Sequence, residues 1–206
     1  MVMPSAWRMI DLNPATRDRS IQRMIREALG RSDELASLRR SAAQELGKAV
    51  EAATSAGCFF AATYEELVGG WPLSATALAF LGLSPSGPDG PATDAETLLT
   101  LLGSPSSGEE PVDDARVVTL ALGDAARTRV RLSDQVEGAE TVSTVDVVRY
   151  FIPVAAWDRL LVMAFSTPML YAADAMAELF DQMALGARWR VPTPHPSAGQ
   201  TERRAE

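Results

Sequence analysis

The chain is poor in the residues on which metal and redox sites depend. Its 206 residues include one cysteine, Cys58, and one histidine, His195. One cysteine excludes an intramolecular disulfide, and the two residues together exclude zinc sites built from several Cys and His ligands. Cys58 lies in a short apolar run, where we expect a free thiol to pack as a small hydrophobic side chain. His195 lies in a proline-rich segment without fixed geometry, so we predict no histidine-based triad.

Sequence motifs for phosphate binding and for a serine nucleophile are also absent. The chain contains no G-x-x-x-x-G-K-[ST], no G-x-G-x-x-G and no G-x-S-x-G. Residues 82–86, Gly-Leu-Ser-Pro-Ser, approach the nucleophile elbow but lack its second glycine. We therefore predict no cofactor and no catalytic residue, and we favour a protein that is not an enzyme.

Long hydrophobic runs are missing as well. No stretch approaches the roughly 18 uninterrupted apolar residues that a membrane-spanning helix needs. The first eight residues, MVMPSAWR, lack the basic and then apolar pattern of an export signal. These features predict a cytoplasmic protein without a membrane partner.

The charge is acidic overall and unevenly distributed. The formal net charge of −8 disfavours nucleic acid as a partner, because nucleic-acid binding requires a basic surface. Residues 1–50 nevertheless hold nine Arg and Lys against six Asp and Glu, whereas the other residues hold ten against twenty-one. Two interpretations stay open for the basic segment, namely the solvated faces of two helices, which we favour, or a binding surface.

The first third of the chain has the hydrophobic spacing of two helices. Apolar residues recur at helical spacing from Ile21 to Leu29, and Gly30 ends the run. Ser32 is expected to cap a second helix that ends near Gly57. Its predicted apolar stripe consists of Leu35, Leu38, Ala42, Leu46, Ala49 and Ala53.

Strand patterns dominate the rest of the chain. After a short extended entry at 6–10, the predicted strands are 58–64, 73–83, 116–122, 127–133, 142–153 and 158–166. A short helix is predicted from Asp94 to Leu102, between two loops at 84–91 and 103–114. Met176, Leu179, Phe180 and Met183 have the spacing of a helix that closes over a sheet.

These elements predict one α+β domain over residues 1–190. Its core is a mostly antiparallel central sheet of five to seven strands, flanked by helices. Two helices stand at the N-terminus and one closes the core at the C-terminus. Residues 191–206, rich in proline and lacking apolar content, are predicted to form a disordered tail.

Three arginines alternate along one predicted strand. Arg127, Arg129 and Arg131 therefore project from one face of it, and Arg149 on a nearby strand is a candidate to join them. Clustered guanidiniums suit bidentate recognition of carboxylate or phosphate. In the alternative interpretation, Asp134, Glu137, Glu140 and Asp146 neutralise the row.

Two further groups of residues have less specific patterns. The acidic residues Glu109, Glu110, Asp113 and Asp114 lack the glycine-punctuated spacing of a calcium loop, so we expect a solvated surface loop and no metal site. The tryptophans Trp7, Trp71, Trp157 and Trp189 are each expected to pack at the rim of the core. Trp71, next to the Gly69-Gly70 turn, is our candidate for an exposed contact residue.

Both ends of the chain resemble PsbP-like domains. The opening residues 4–10, PSAWRMI, are similar to the entry strand of that superfamily. Residues 147–153 and 160–168 are similar to its closing strands, and the predicted helix through 179–189 is similar to its C-terminal helix. The phrase Ala-Phe-Ser-Thr-Pro at 164–168 is the nearest match. The chain is also similar to uncharacterised actinobacterial proteins with this two-helix opening. The resemblance implies an antiparallel sheet between helices that serves protein or ligand contacts, and it carries over no functional residue.

Together these patterns predict a non-enzymatic interaction or accessory module whose partner is another protein. The alternative is a small-molecule or anion-binding protein, or an enzyme, with a pocket lined by Arg127, Arg129 and Arg131. Arg149 and Trp71 are the further candidate binding residues.

Overall fold

An antiparallel sheet organises the protein. The computed structural model describes residues 6–87, 90–113, 115–135 and 142–189. Within them the sheet has eight strands in the order β1-β2-β3-β10-β9-β8-β6, and β7 also pairs with β8. The strands are β1 Trp7–Met9, β2 Cys58–Val68, β3 Trp71–Leu83, β6 Glu109–Pro111, β7 Arg116–Leu120, β8 Gly123–Gln135, β9 Val142–Val154 and β10 Arg159–Thr167. A separate small hairpin pairs β4 Ser86–Gly87 with β5 Gly90–Pro91.

Four α-helices accompany the sheet within the described ranges. They are α1 Arg17–Leu29, α2 Ala36–Ser55, α3 Ala95–Leu102 and α4 Ala173–Gly186. Short 3₁₀ turns occupy Asp33–Leu35, Ala155–Trp157 and Leu170–Ala172. The α+β class with two N-terminal helices and a closing C-terminal helix is thereby confirmed.

The helix ends follow the sequence signals in most places. Gly30 ends α1 with a positive φ of 72°, and Asp94 caps α3 by accepting a hydrogen bond from the Thr97 amide at 2.7 Å. The predicted Ser32 cap is wrong, because Ser32 makes no capping hydrogen bond and a 3₁₀ turn separates it from α2. The stripe on α2 is also shifted, with Val50 buried and Ala49 exposed.

One face of the sheet, which we call the α4 face, carries the largest core. Alternate residues of the central strands, among them Tyr150, Ile152 and Phe165, are buried there beneath α4. Phe180 of α4 stacks on Phe165 with ring centroids 5.2 Å apart. The predicted apolar stripe of the closing helix therefore performs the predicted role.

The opposite face, the α1–α2 face, has two smaller cores. Ile21, Ile25 and Val50 pack against Cys58 and Ala61 beneath α1 and α2. Leu98 of α3 packs against Ala126 and Leu160 at the other end of the sheet. Strand β10 is therefore covered on both faces, as its continuous apolar run predicts. Cys58 is buried as a free thiol, also as predicted, and burial raises its pKa.

The expectation of five to seven strands is too low. Residues 109–111 were expected in a loop, but Glu109, Glu110 and Pro111 pair with β8 as the short strand β6. The stretch escapes a pattern search because two glutamates and a proline have low strand propensity, and cross-strand pairing overrides that preference. The 84–91 loop likewise contains the β4–β5 hairpin, and the predicted tail lies outside the described residues.

Candidate functional site

The arginine row of β8 lies on the α4 face beside α4. Register places Arg127 opposite Tyr150, Arg129 opposite Val148 and Arg131 opposite Asp146. Arg127 is 3% exposed and Arg129 is 8% exposed. Two guanidiniums are thus removed from water, which is costly unless each is paired and hydrogen-bonded.

Arg127 is held by two carboxylates from distant parts of the chain. It donates to Asp181 of α4 at 2.8 and 3.3 Å and to Asp113 at 2.9 Å. Burial alone would lower the pKa of the Arg127 guanidinium, but these hydrogen bonds outweigh it and raise that pKa. The Tyr150 hydroxyl also donates to Asp181, and burial together with this bond raises the pKa of Tyr150.

Arg129 is paired in a similar way. It donates to both oxygens of the buried Asp146, at 2.9 and 3.2 Å, and to Asp174 of α4 at 2.8 Å. Arg131 is more exposed and lies 3.8 Å from the same Asp146 carboxylate. Carboxylates therefore neutralise the row, although three of them come from outside the predicted group and the side chains of Asp134, Glu137 and Glu140 lie outside the described residues.

This network ties α4 to the sheet. The guanidinium groups of Arg127 and Arg129 donate to carboxylates of the protein itself, so they are not free to bind an anionic ligand. The groove and the adjoining cavity described below include no residue of the row. The row therefore has the geometry of a structural link between β8 and α4.

Arg149 does not join the row. It pairs in register with Thr128, so its side chain projects from the opposite face of the sheet from Arg127 and Arg129. There it donates to Glu109 at 2.6 Å. Burial alone would raise the pKa of Glu109, but the Arg149 guanidinium lowers it below the ordinary value. Glu109 and Asp113 thus serve as ion-pair partners, and the expectation that they lie in a solvated loop is wrong.

Trp71 is exposed at the tip of the β2–β3 hairpin. The tip is the two-residue turn Gly69-Gly70, in which both residues have positive φ, as such hairpins require. Trp71 is 67% exposed and lies 5.8 Å, ring to ring, from the exposed Tyr171. Trp7 is buried within the largest core cluster, whereas Trp157 and Trp189 are more than half exposed, contrary to the expected rim packing.

A groove between α1 and α2 has the larger volume of the two described cavities. Its cavity volume is about 710 Å³. Ile21 and Ile25 of α1 and Ala36, Ala43 and Gly47 of α2 form its apolar floor. Because Ala36, Ala43 and Gly47 have small side chains or none, they leave the space between the two helices open.

Cations dominate the rim of this groove. They are Arg17, Arg26, Arg39, Arg40 and Lys48, and the acidic rim residues are Asp18 and Glu51. Both acids lie near Arg17, at 3.1 and 4.0 Å, at the end of the groove away from the α1–α2 turn. Next to the turn, Arg26, Arg31 and Arg39 line an adjoining cavity of about 340 Å³. Among the described residues, none of these three arginines has an ion-pair partner.

Metal and membrane sites are not seen in the described ranges. Those residues contain no group of three or more Cys, His, Asp and Glu side chains arranged to hold a metal ion. No helix there combines the length and apolar character needed to cross a membrane.

Comparison with protein-family models, curated proteins and solved structures finds no match for this chain. The candidate site therefore rests on the geometry of the groove.

Proposed function

We propose that this protein is a non-enzymatic interaction module that binds another protein through the α1–α2 groove. The observation that carries the proposal is the groove itself, an apolar floor bounded at one end by cations that have no acidic partner within the part of the chain that the structure describes. Grooves between helices are a recurrent place for a partner segment to dock. The interpretation of the basic N-terminal segment as a binding surface is thus the one we adopt.

Trp71 and Tyr171 support the same class of function from a second surface. Exposed aromatic side chains are enriched among the residues that contribute most to protein–protein affinity. Trp71 at the hairpin tip and Tyr171 in the 3₁₀ turn Leu170–Ala172 are both exposed and belong to none of the buried clusters. We retain Trp71 as a proposed contact residue.

The alternative of an anion pocket lined by the β8 arginines is less well supported. It requires guanidiniums that face a concavity, but Arg127 and Arg129 are engaged by aspartates. A PsbP-like relationship stays a proposal, supported by the antiparallel sheet between helices.

A substitution that fills the groove tests the proposed function. Gly47 lies in α2, and a Cβ built there meets no atom within 4 Å, so Gly47→Leu fits the helix while it occupies the groove. We expect a protein that co-purifies stoichiometrically with the tagged wild type to be lost with Gly47→Leu. The measurement is affinity purification from the native host, followed by titration of the identified partner in purified form.

The matched control is Ala49→Leu, at an exposed position of α2 that does not line the groove. It adds a leucine to the same helix and should leave binding unchanged. Equal affinity of the purified partner for wild type and Gly47→Leu would refute the groove as the binding site.

A further inference from the structure

The shape of the α1–α2 groove suits a helix. Ala36, Ala43 and Gly47 lie at i, i+7 and i+11 along one face of α2, so their small side chains permit close approach of a third backbone. Helices pack with axes about 8–10 Å apart, and the distance depends on the side chains at the contact. The lining of α2 runs from Ala36 to Glu51, which is about 22 Å at 1.5 Å per residue. A helix of about 15 residues spans that length.

The charge of the groove is asymmetric along its length. At the far end, Arg17 lies within ion-pair distance of Asp18 and Glu51. At the end beside the α1–α2 turn, Arg26 and Arg40 are exposed and have no ion-pair partner among the described residues.

Two more arginines reinforce the turn end. Arg39 donates to the carbonyl oxygens of Gly30 and Ser32, at 3.1 and 2.7 Å, which fixes its guanidinium beside the turn. Arg31 lines the adjoining cavity with it. Arginine clusters of this kind recognise carboxylate or phosphate groups on a partner segment.

We propose that the groove binds an amphipathic helix of a partner protein, with an apolar face toward the floor and carboxylates beside the α1–α2 turn. This inference rests on the proposed function and names the chemistry of the occupant. A protein segment fits better than nucleic acid, because the basic surface is confined to a short groove on a chain of net charge −8.

The test uses two synthetic peptides of about 15 residues. One is a fluorescein-labelled helix of Leu, Ala and a cluster of Glu at one end, and the other carries Gln in place of each Glu. Fluorescence anisotropy with the full-length protein should show the Glu peptide binding at least about tenfold more tightly than the Gln peptide. The preference should shrink between about 0.1 M and 1 M salt, as the Debye length falls from about 10 Å to about 3 Å.

Charge reversal then locates the contact. The double substitution Arg26→Glu with Arg40→Glu should abolish the preference for the Glu peptide and create one for a Lys version of the same peptide. Arg23→Glu is the matched control, because Arg23 lies on α1 outside the groove lining and undergoes the same charge change.

Two results obtained with the peptides would overturn the inference. One is equal binding of the Glu and Gln peptides, or no saturable binding of either. The other is a duplex DNA oligonucleotide that displaces the Glu peptide at lower concentration than the unlabelled peptide does. If the natural partner is lost with Gly47→Leu but retained by the double arginine variant, the groove functions as proposed and the acidic helix is wrong.

Discussion

Asp146 is the most deeply buried acidic residue of the network on the α4 face. It is 1% exposed and receives two hydrogen bonds from Arg129. The free energy needed to remove such a pair from water is about as large as the free energy gained from its mutual attraction, so the intact pair adds little net stability. Loss of one partner is costly, because the other charge stays buried. We therefore expect substitution of one member of the pair to lower the free energy of unfolding.

Asp146→Asn should therefore destabilise the protein by up to about 3 kcal/mol, because the buried Arg129 charge then faces a neutral amide and keeps only the exposed Asp174 as an acidic partner. Urea unfolding measures the change. Asp174→Asn serves as the control, since Asp174 also contacts Arg129 but its side chain is 90% exposed, so the effect should be small.

Removal of both charges provides a second check. The combination of Arg129→Met and Asp146→Leu should be more stable than Asp146→Asn alone, since neither charge of the buried pair remains. Asp174 and Arg131 each lose a partner, but their side chains are 90% and 39% exposed and stay in contact with water. A double variant less stable than that single variant would contradict this account of the network.

Among the elements, α2 contains one glycine, Gly47, and is followed by a second, Gly57, and substitution of the two should have opposite effects. Gly57 follows the helix with a φ of +88°, and a Cβ there would lie 2.9 Å from the carbonyl oxygen of Leu81. Gly47 lies inside the helix, where glycine has a lower helix propensity than alanine. A Cβ added there meets no atom within 4 Å. The two positions form a natural pair for comparison.

Gly57→Ala should cost at least about 1–2 kcal/mol because of the left-handed backbone, and the close carbonyl oxygen adds to that cost. Gly47→Ala should stabilise the protein by up to about 1 kcal/mol, through helix propensity alone. Thermal unfolding of both variants beside the wild type tests the pair. Equal shifts in Tm would show that the backbone conformation at Gly57 is not required.

At the scale of the whole molecule, the two faces of the sheet differ in how firmly they are covered. The α4 face has a large continuous core that includes fully buried residues of β9, β10 and α4. The α1–α2 hairpin rests on a smaller cluster, to which α2 contributes Val50 as its one buried residue. Regions with few buried apolar contacts open at lower free energy than the core.

The amides of α1 and α2 should accordingly exchange with deuterium faster than those of β8, β9 and β10. Hydrogen exchange followed by mass spectrometry of the full chain measures this difference. Partner binding in the groove should slow exchange in α1 and α2 and leave the three strands unchanged. Uniform protection across helices and strands would contradict the separation into a firm and a weaker face.

Only the packed structure shows where the basic residues of the N-terminal segment lie on the protein surface. Residues 1–50 are basic, but their charges lie on all sides of two helices. Packing of α1 against α2 directs Arg26, Arg39 and Arg40 to one groove and leaves Arg23 outside it. The sequence analysis did not identify the groove, although the spacing of Ala36, Ala43 and Gly47 along one face of α2 is a signal that could have indicated it.

The sequence by itself determined the class of fold and most of the elements. Side-chain periodicity is a local property, so the spacing from Ile21 to Leu29 and from Met176 to Met183 was enough to predict α1 and α4. The apolar run of β10 likewise predicted a strand covered on both faces. The alternation of Arg127, Arg129 and Arg131 correctly placed them on one face.

Only the tertiary structure decided which residues meet. The register between β8 and β9 places Arg149 opposite Thr128, and so on the other face of the sheet from the arginine row. A register shifted by one residue would place Arg149 on the same face as the row. Asp181 reaches Arg127 across 54 positions of the chain, and Glu109 reaches Arg149 from a strand with poor strand propensity. Such contacts depend on pairing and packing between distant segments, which local residue patterns do not encode.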